Sequence, residues 1–244
     1  MKNANAHSKI PMDLFRSPTK EYRAAPFWAW NCALNREVLE EEIEIMRRMG
    51  FGGFYMHTRL NMATPYMSEE FLDMVGACVE KGKNTGMIPR LYDEDRYPSG
   101  DAGGMVRDED DENRQKYLCF RFHPYEDESL NDEDRKKAIR FGGYRYVFLA
   151  CYDVLLRDDG YLEEYKRIAL GDTVPVGHEK WFAYMEYAEY CDVLQKSTAE
   201  SFIRHTHEVY KRRFGKALGT EIPSIFTDEP QMRAKRPLVR ATDK

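Results

Sequence analysis

Residues Ile222–Pro230 read Ile-Pro-Ser-Ile-Phe-Thr-Asp-Glu-Pro. Apolar, strand-forming residues lead into two adjacent carboxylates, and a proline stops the strand. Buried parallel strands read as short apolar runs, and barrel enzymes carry their catalytic groups at the C-terminal ends of such strands. The stretch therefore predicts a parallel strand that delivers an acid to the rim of an α/β barrel.

Working towards the N-terminus, three segments follow the same grammar. Pro26-Phe27-Trp28-Ala29-Trp30-Asn31 reads as a short aromatic strand. Asn35 can cap the helix after it, where Val38, Leu39, Ile43, Met46 and Met49 recur at helical spacing and Gly50 ends the run. Phe51–His57 is a second strand. Ser68 can cap a second helix carrying Phe71, Leu72, Val75, Cys78 and Val79, closed by Gly86. Met87–Tyr92 is a third strand, ending in Asp93-Glu94-Asp95. Strand and helix alternate with short links, which is the βαβ pattern of a parallel sheet. The expected class is α/β: a partial (β/α)₈-type barrel of about four βα units over residues 26–244, preceded by a polar arm at 1–25.

The rhythm breaks between about 105 and 194. Residues 105–135 are strongly charged around the apolar patch 117–122, 144–156 alternates or runs apolar, and Asp158-Asp159-Gly160 is a hairpin-type turn before 161–168. These features predict an insertion of antiparallel strands after the third barrel strand. Ser197-Thr198-Ala199-Glu200 matches a capping box, and Phe202, Ile203, Val209, Tyr210 and Phe214 predict a third helix that feeds the Ile222 strand.

Composition limits the partners. The 244 residues carry a net charge of −5, with 42% hydrophobic and 32% charged residues. That charge argues against a nucleic-acid or anionic-membrane partner, since those need a basic face, and neither is expected. Aromatics reach 13%, with 16 Tyr and 3 Trp, which suits stacking against sugar rings, although packing is the commoner use. The five cysteines are scattered without metal spacing, as reduced cytoplasmic thiols would be. No run reaches transmembrane length, and residues 1–15 lack a signal-peptide stretch. The expected location is cytoplasmic.

Several residue groups can carry chemistry. Asp228 and Glu229 can work as general acid or base; the bland alternative is a salt-bridged strand end or helix cap. The flanks Phe226 and Pro230 predict partial desolvation of the acid. Asp93, Glu94 and Asp95, with Tyr97 and the sculpted turn Pro98-Ser99-Gly100, can hold sugar hydroxyls, supply a carboxylate or bind a hard cation; a solvated acidic loop neutralised by Arg96 is the alternative. His57 and Arg59 can bind substrate oxygens, and Trp28, Trp30 and Asn31 end the first strand, where a tryptophan either stacks on a pyranose or fills the core. His205-Thr206-His207 lies within the third helix, where i and i+2 positions point apart, so packing is the expected role. No Walker-type, GxSxG or HExxH run occurs, and Gly103-Gly104 and Gly142-Gly143 fit no phosphate loop.

Taken in order, Phe27–Asn31, Gly52-Gly53-Phe54 with His57 and Arg59, Tyr92–Asp95 through Pro98-Ser99-Gly100, and Thr227-Asp228-Glu229-Pro230 resemble the start of the catalytic barrel in bacterial glycoside hydrolases similar to the family-106 α-L-rhamnosidases. Phe202–Gly215 resembles the helix before the fourth strand of that group, so the likeness spans roughly residues 26–230. It implies a carbohydrate substrate and makes Glu229 the general acid or acid/base. Asp228 stands where the wider clan has an asparagine, and an acid cannot donate that amide's hydrogen bond. Trp30, Asn31, His57, Arg59, Asp93 and Asp95 would line the sugar subsite. The rhamnosidases are associated with calcium, but no stretch here reads as a calcium loop; otherwise no cofactor or metal is expected.

A barrel of this type takes about 250 residues without insertions. The expectation is therefore an incomplete barrel lacking the second catalytic carboxylate, with little activity alone, completed by its missing C-terminal half or as a homodimer. The rival readings are a non-catalytic carbohydrate-binding half-barrel and a metal-dependent barrel lyase or isomerase using Asp93, Asp95, His57 and Glu229.

Overall fold

The computed structural model describes residues 11–122, 124, 139–141 and 144–232. Residues 1–10 of the expected arm, Gly142-Gly143 and 233–244 lie outside the described residues. The chain is mixed α/β and divides into two compact units, one from Met1–Met105 with Ala199–Pro230 and one containing Val106–Thr198.

The first unit is built on a four-stranded parallel sheet. After a short helix α1 (Met12–Arg16) come β1 (Phe27–Trp30), α2 (Arg36–Arg48), β2 (Gly53–Thr58), α3 (Glu69–Thr85) and β3 (Ile88–Tyr92). The strand order is β1-β2-β3-β9, with β9 (Ile225–Phe226) arriving after the second unit and two further helices. Register aligns Phe27 with Tyr55, Tyr55 with Arg90 and Tyr92 with Phe226. Among the described residues the sheet does not close into a barrel, and β1 and β9 are its outer strands.

Local chemistry explains these elements. The Asn35 side chain accepts the Val38 N–H at 3.0 Å and Ser68 accepts the Phe71 N–H at 3.1 Å, so both helices begin on satisfied caps. Gly86 ends α3 in the left-handed conformation, φ 74°, which a side chain would resist. The buried stripe of α2 is Leu39, Ile43 and Met46; Val38 and Met49 of the expected stripe are exposed.

Strand side chains alternate faces, and the described helices α2 and α3 pack on one face of this sheet. Trp28, Trp30, Phe54, Met56, Leu91 and Ile225 pack with Leu39, Ile43, Phe71, Val75, Tyr210 and Ile222 in one core. The other face carries Phe27, Tyr55, His57, Tyr92 and Phe226, whose rings contact one another at centroid distances from 3.9 to 6.4 Å.

The expected third helix is two. α5 (Lys196–His205) and α6 (His207–Phe214) are separated by Thr206, whose φ −121°, ψ −76° is not helical. The Thr206 hydroxyl donates to the Phe202 carbonyl at 2.7 Å, a local bond that competes with the helix ladder.

The second unit begins within the short helix α4 (Met105–Glu109). It is an antiparallel sheet of β4 (Arg114–Arg121), β5 (Ile139–Phe141), β6 (Tyr144–Leu156), β7 (Leu162–Ile168) and β8 (Glu179–Cys191), in the order β4-β8-β6-β5 with β7 also paired to β6. The Asp158–Gly160 turn joins β6 to β7, with Leu156 opposite Leu162. Tyr146, Cys151, Phe182 and Tyr184 form this unit's own small core.

Trp30 is 2% exposed with its ring edge-on to Trp28 and Phe71. Trp30→Ala should therefore cost about 3–5 kcal/mol of stability in denaturant unfolding. A cost under about 1 kcal/mol would mean that this core does not hold the sheet.

Candidate functional site

The C-terminal ends of β2, β3 and β9 bring four of the expected residues together in two pairs. His57 Nε2 lies 3.7 Å from Asp228 Oδ2, and the Tyr97 hydroxyl donates to Glu229 Oε2 at 2.8 Å. His57 is buried and stacks on Tyr92, with centroids 3.9 Å apart and planes 13° from parallel. Its Nδ1 faces the Thr58 carbonyl at 3.2 Å. Both neighbours, the Thr58 carbonyl and the Asp228 carboxylate, are acceptors, so each ring nitrogen faces a group that a ring N–H can satisfy. Burial lowers the His57 pKa first, the nearby Arg59 charge lowers it further, and Asp228 opposes both.

The loop that follows β3 is shaped by Glu94, which is 1% exposed. Its Oε1 accepts N–H bonds from Asp95, at 2.9 Å, and from Gly103. Its Oε2 accepts from Gly100 at 3.0 Å, Asp101 at 2.9 Å and Ala102 at 2.8 Å. Five backbone donors converge on one carboxylate. Burial pushes its pKa up to about 7, while the donors pull it down. Glu94 was expected among the sugar-binding groups; instead both its oxygens are enclosed by its own loop, and it serves as that loop's internal anchor.

Asp93 is likewise turned inward. Fully buried, it accepts from the Ser99 hydroxyl at 2.7 Å and from the Thr227 hydroxyl, with His207 Nε2 3.8 Å from its Oδ2. Burial raises its pKa against these bonds. Ser99 also joins β3 to β9: its hydroxyl accepts the Asp228 N–H at 2.8 Å and its N–H donates to the Asp228 carbonyl at 2.9 Å.

The remaining expected residues stand elsewhere. Trp30 is in the helix-side core, and Trp28 donates its indole N–H to Glu42 of α2 at 2.7 Å, so neither shares the face of His57. Asp95 pairs with Arg96 at 3.0 Å. Asn31 and Arg59 are exposed at the ends of β1 and β2. Glu229 is also exposed, contrary to the expected desolvation, because β9 is an outer strand with its end open to solvent.

Sequence reasoning missed Ser99, Thr227 and His207. A break at Thr206 starts a new helix with His207 and turns it to Asp93, which periodicity within one long helix cannot show.

Calcium takes about six to eight oxygen ligands. Here the Glu94 oxygens face N–H groups and those of Asp93 face hydroxyls. Among the described residues no cluster of three or more His, Cys, Asp and Glu could hold a metal. The donor set does not fit calcium, nor does it gather the ligands of a metal-dependent lyase.

No protein-family model matches this chain, and no curated protein matches it in sequence. Among solved structures, a rhamnosidase from Novosphingobium sp. PP1Y is similar at a TM-score of 0.37 and 13% identity, over 73% of this chain and 27% of that one. The chain thus spans about a quarter of that rhamnosidase's length. A likeness of this size assigns no residue roles here.

Two outcomes are expected. Glu94→Gln replaces an acceptor oxygen with an amide nitrogen that faces two or three N–H groups. It should destabilise the chain by about 3 kcal/mol or more in denaturant unfolding; a loss under about 1 kcal/mol would remove Glu94 as the anchor. For His57, a folded pKa below the ordinary 6.5 means that the unfolded chain binds the proton more tightly. Its contribution is therefore present above about pH 6.5 and lost as pH falls through the folded value. Between about pH 7 and pH 5, wild type should lose more stability than His57→Gln. Equal slopes would show that His57 titrates normally.

Proposed function

We propose that this chain contributes the acid-bearing part of a glycoside hydrolase site, in which Glu229 is the general acid or acid/base. The observation that carries this reading is the backbone at Glu229. It sits at φ 41°, the left-handed region, at the end of a parallel strand, with its side chain held by Tyr97. That conformation costs a non-glycine residue about 1–2 kcal/mol, and such strain persists where it serves a site.

The chemistry follows from the two pairs. Tyr97 donates to Oε2, which fixes the carboxyl plane and leaves Oε1 to carry a proton to a glycosidic oxygen. Asp228 and His57 supply an acceptor and a switchable ring nitrogen for sugar hydroxyls, with Arg59 and Asn31 on adjacent strand ends. Hydrolysis takes two carboxylates flanking the bond, and this reading assigns one of them. The four-stranded parallel sheet is read as the first part of a (β/α)₈-type barrel, on the resemblance to bacterial rhamnosidase-like enzymes described above. The five free cysteines agree with a cytoplasmic setting; among the described residues no helix is long and apolar enough to cross a membrane.

Aryl-glycoside turnover and sugar binding by saturation-transfer NMR test the reading on the same panel. Glu229→Gln should retain sugar binding and lower any turnover by about 100-fold or more. Glu229→Gly should abolish turnover yet stabilise the fold by about 1 kcal/mol as the strain is released. Turnover unchanged in Glu229→Gln, or no sugar bound at millimolar concentration, would overturn it.

A further inference from the structure

The backbone turn that carries Glu229 has no local cause. Its φ of 41° is left-handed, and residue 230 is a proline, whose ring biases the residue before it towards extended backbone. Glutamate itself resists the left-handed region, because its Cβ crowds the carbonyl that follows. What holds the turn must come from elsewhere in the fold, since strain of this kind persists only where the surroundings over-determine it.

The ties on the two residues before the turn lead to Asp93. Thr227 donates its hydroxyl proton to Asp93 Oδ2, and Ser99 donates its own to Oδ1 at 2.7 Å. With that proton committed, the Ser99 oxygen presents its lone pairs to the Asp228 N–H, at 2.8 Å, while the Ser99 N–H donates to the Asp228 carbonyl at 2.9 Å. Both polar groups of the Asp228 backbone are thus fixed, and its carbonyl belongs to the peptide bond that leads into Glu229. Tyr97 holds the far end of the Glu229 side chain. Asp93 is fully buried, and its two oxygens take both hydroxyl protons only as a carboxylate; an amide of the same shape accepts at one position and donates at the other. His207 Nε2 lies 3.8 Å from Oδ2, where a ring proton meets the charge.

We infer that the buried Asp93 carboxylate imposes the left-handed turn at Glu229: it orients the Ser99 and Thr227 hydroxyls, these fix the backbone around Asp228, and the fixed peptide carries Glu229 into the positive-φ region. Glu94 and Asp93 then divide the work. Glu94 shapes the loop that brings Ser99 to the end of β9, and Asp93 decides which way the Ser99 hydroxyl points. The inference concerns a conformation and stands apart from the sugar chemistry proposed above. Within the reading of Glu229 as the acid, Asp93 is a positioning residue that acts through Ser99 and Thr227.

Two measurements on the full chain test it. The NOE between the amide and Hα protons within residue 229 is strong only at positive φ. It should be strong in wild type and in Thr227→Ser, which keeps the hydroxyl, and weaken several-fold in Asp93→Asn and in Ser99→Ala. Thermal melts supply the second readout. Glu229→Gly should raise the melting temperature of wild type by about 2–4 °C, and that gain should fall below about 1 °C in the Asp93→Asn background. Ser99→Ala serves as the background if Asp93→Asn does not fold. An Asp93 with a purely structural role would lower both melting temperatures alike and leave the gain intact. A weak NOE in wild type, an NOE unchanged in folded Asp93→Asn or Ser99→Ala, or an undiminished gain would overturn the inference. Turnover by Glu229→Gln reports separately on the acid, so either conclusion can fail alone.

Discussion

Five backbone N–H groups turned onto the carboxylate of Glu94 are the constraint on which the rest of the candidate site depends. A loop that leaves β3 must satisfy its own backbone polar groups if it is to be buried, and here one side chain answers five of them. The loop's path is thereby set. Ser99 is delivered to a point where its hydroxyl bonds Asp93 and accepts from Asp228, so the end of β9 is tied to the end of β3. Tyr97, two residues earlier, is delivered to Glu229. A change at Glu94 would propagate to Glu229 without touching it.

Much of this was legible in the sequence because strand ends advertise themselves. The apolar runs ending in His57, Asp93 and Asp228 mark parallel strands with polar C-terminal ends, and the Asn35, Ser68 and Gly86 signals act locally, where sequence is most informative. Which way each side chain points was not legible. β1 carries Phe27, Trp28 and Trp30 on both faces, so its alternation gives no contrast in polarity. Only the helices on one side, which bury Trp30 and engage Trp28 through Glu42, decide that the tryptophans belong to the core. In Asp93-Glu94-Asp95 three acids in a row look equivalent. Their fates diverge by parity and reach, since Asp93 turns to Thr227 and His207 while the longer Glu94 folds back onto its loop. The helix break at Thr206 rests on a hydroxyl-to-carbonyl bond that no periodicity encodes.

The face of the parallel sheet that carries the stacked rings has two layers with different chemistry. The upper one, His57, Tyr92, Phe226 and Asp228, ends at the candidate acid. The lower one, Phe27, Tyr55, Arg90 and Ser224, holds two donors without acceptors. Along a strand the layers are two residues apart, or about 7 Å. They cannot be treated as separate surfaces, because any element wide enough to cover one reaches the other.

That proximity bears on the acid itself. A general acid working near neutral pH needs its carboxyl drawn away from water so that the proton is held longer. Glu229 in this structure is exposed, and the Tyr97 hydroxyl donates to it. In the reading of Glu229 as the acid, whatever covers this part of the site must also supply that desolvation.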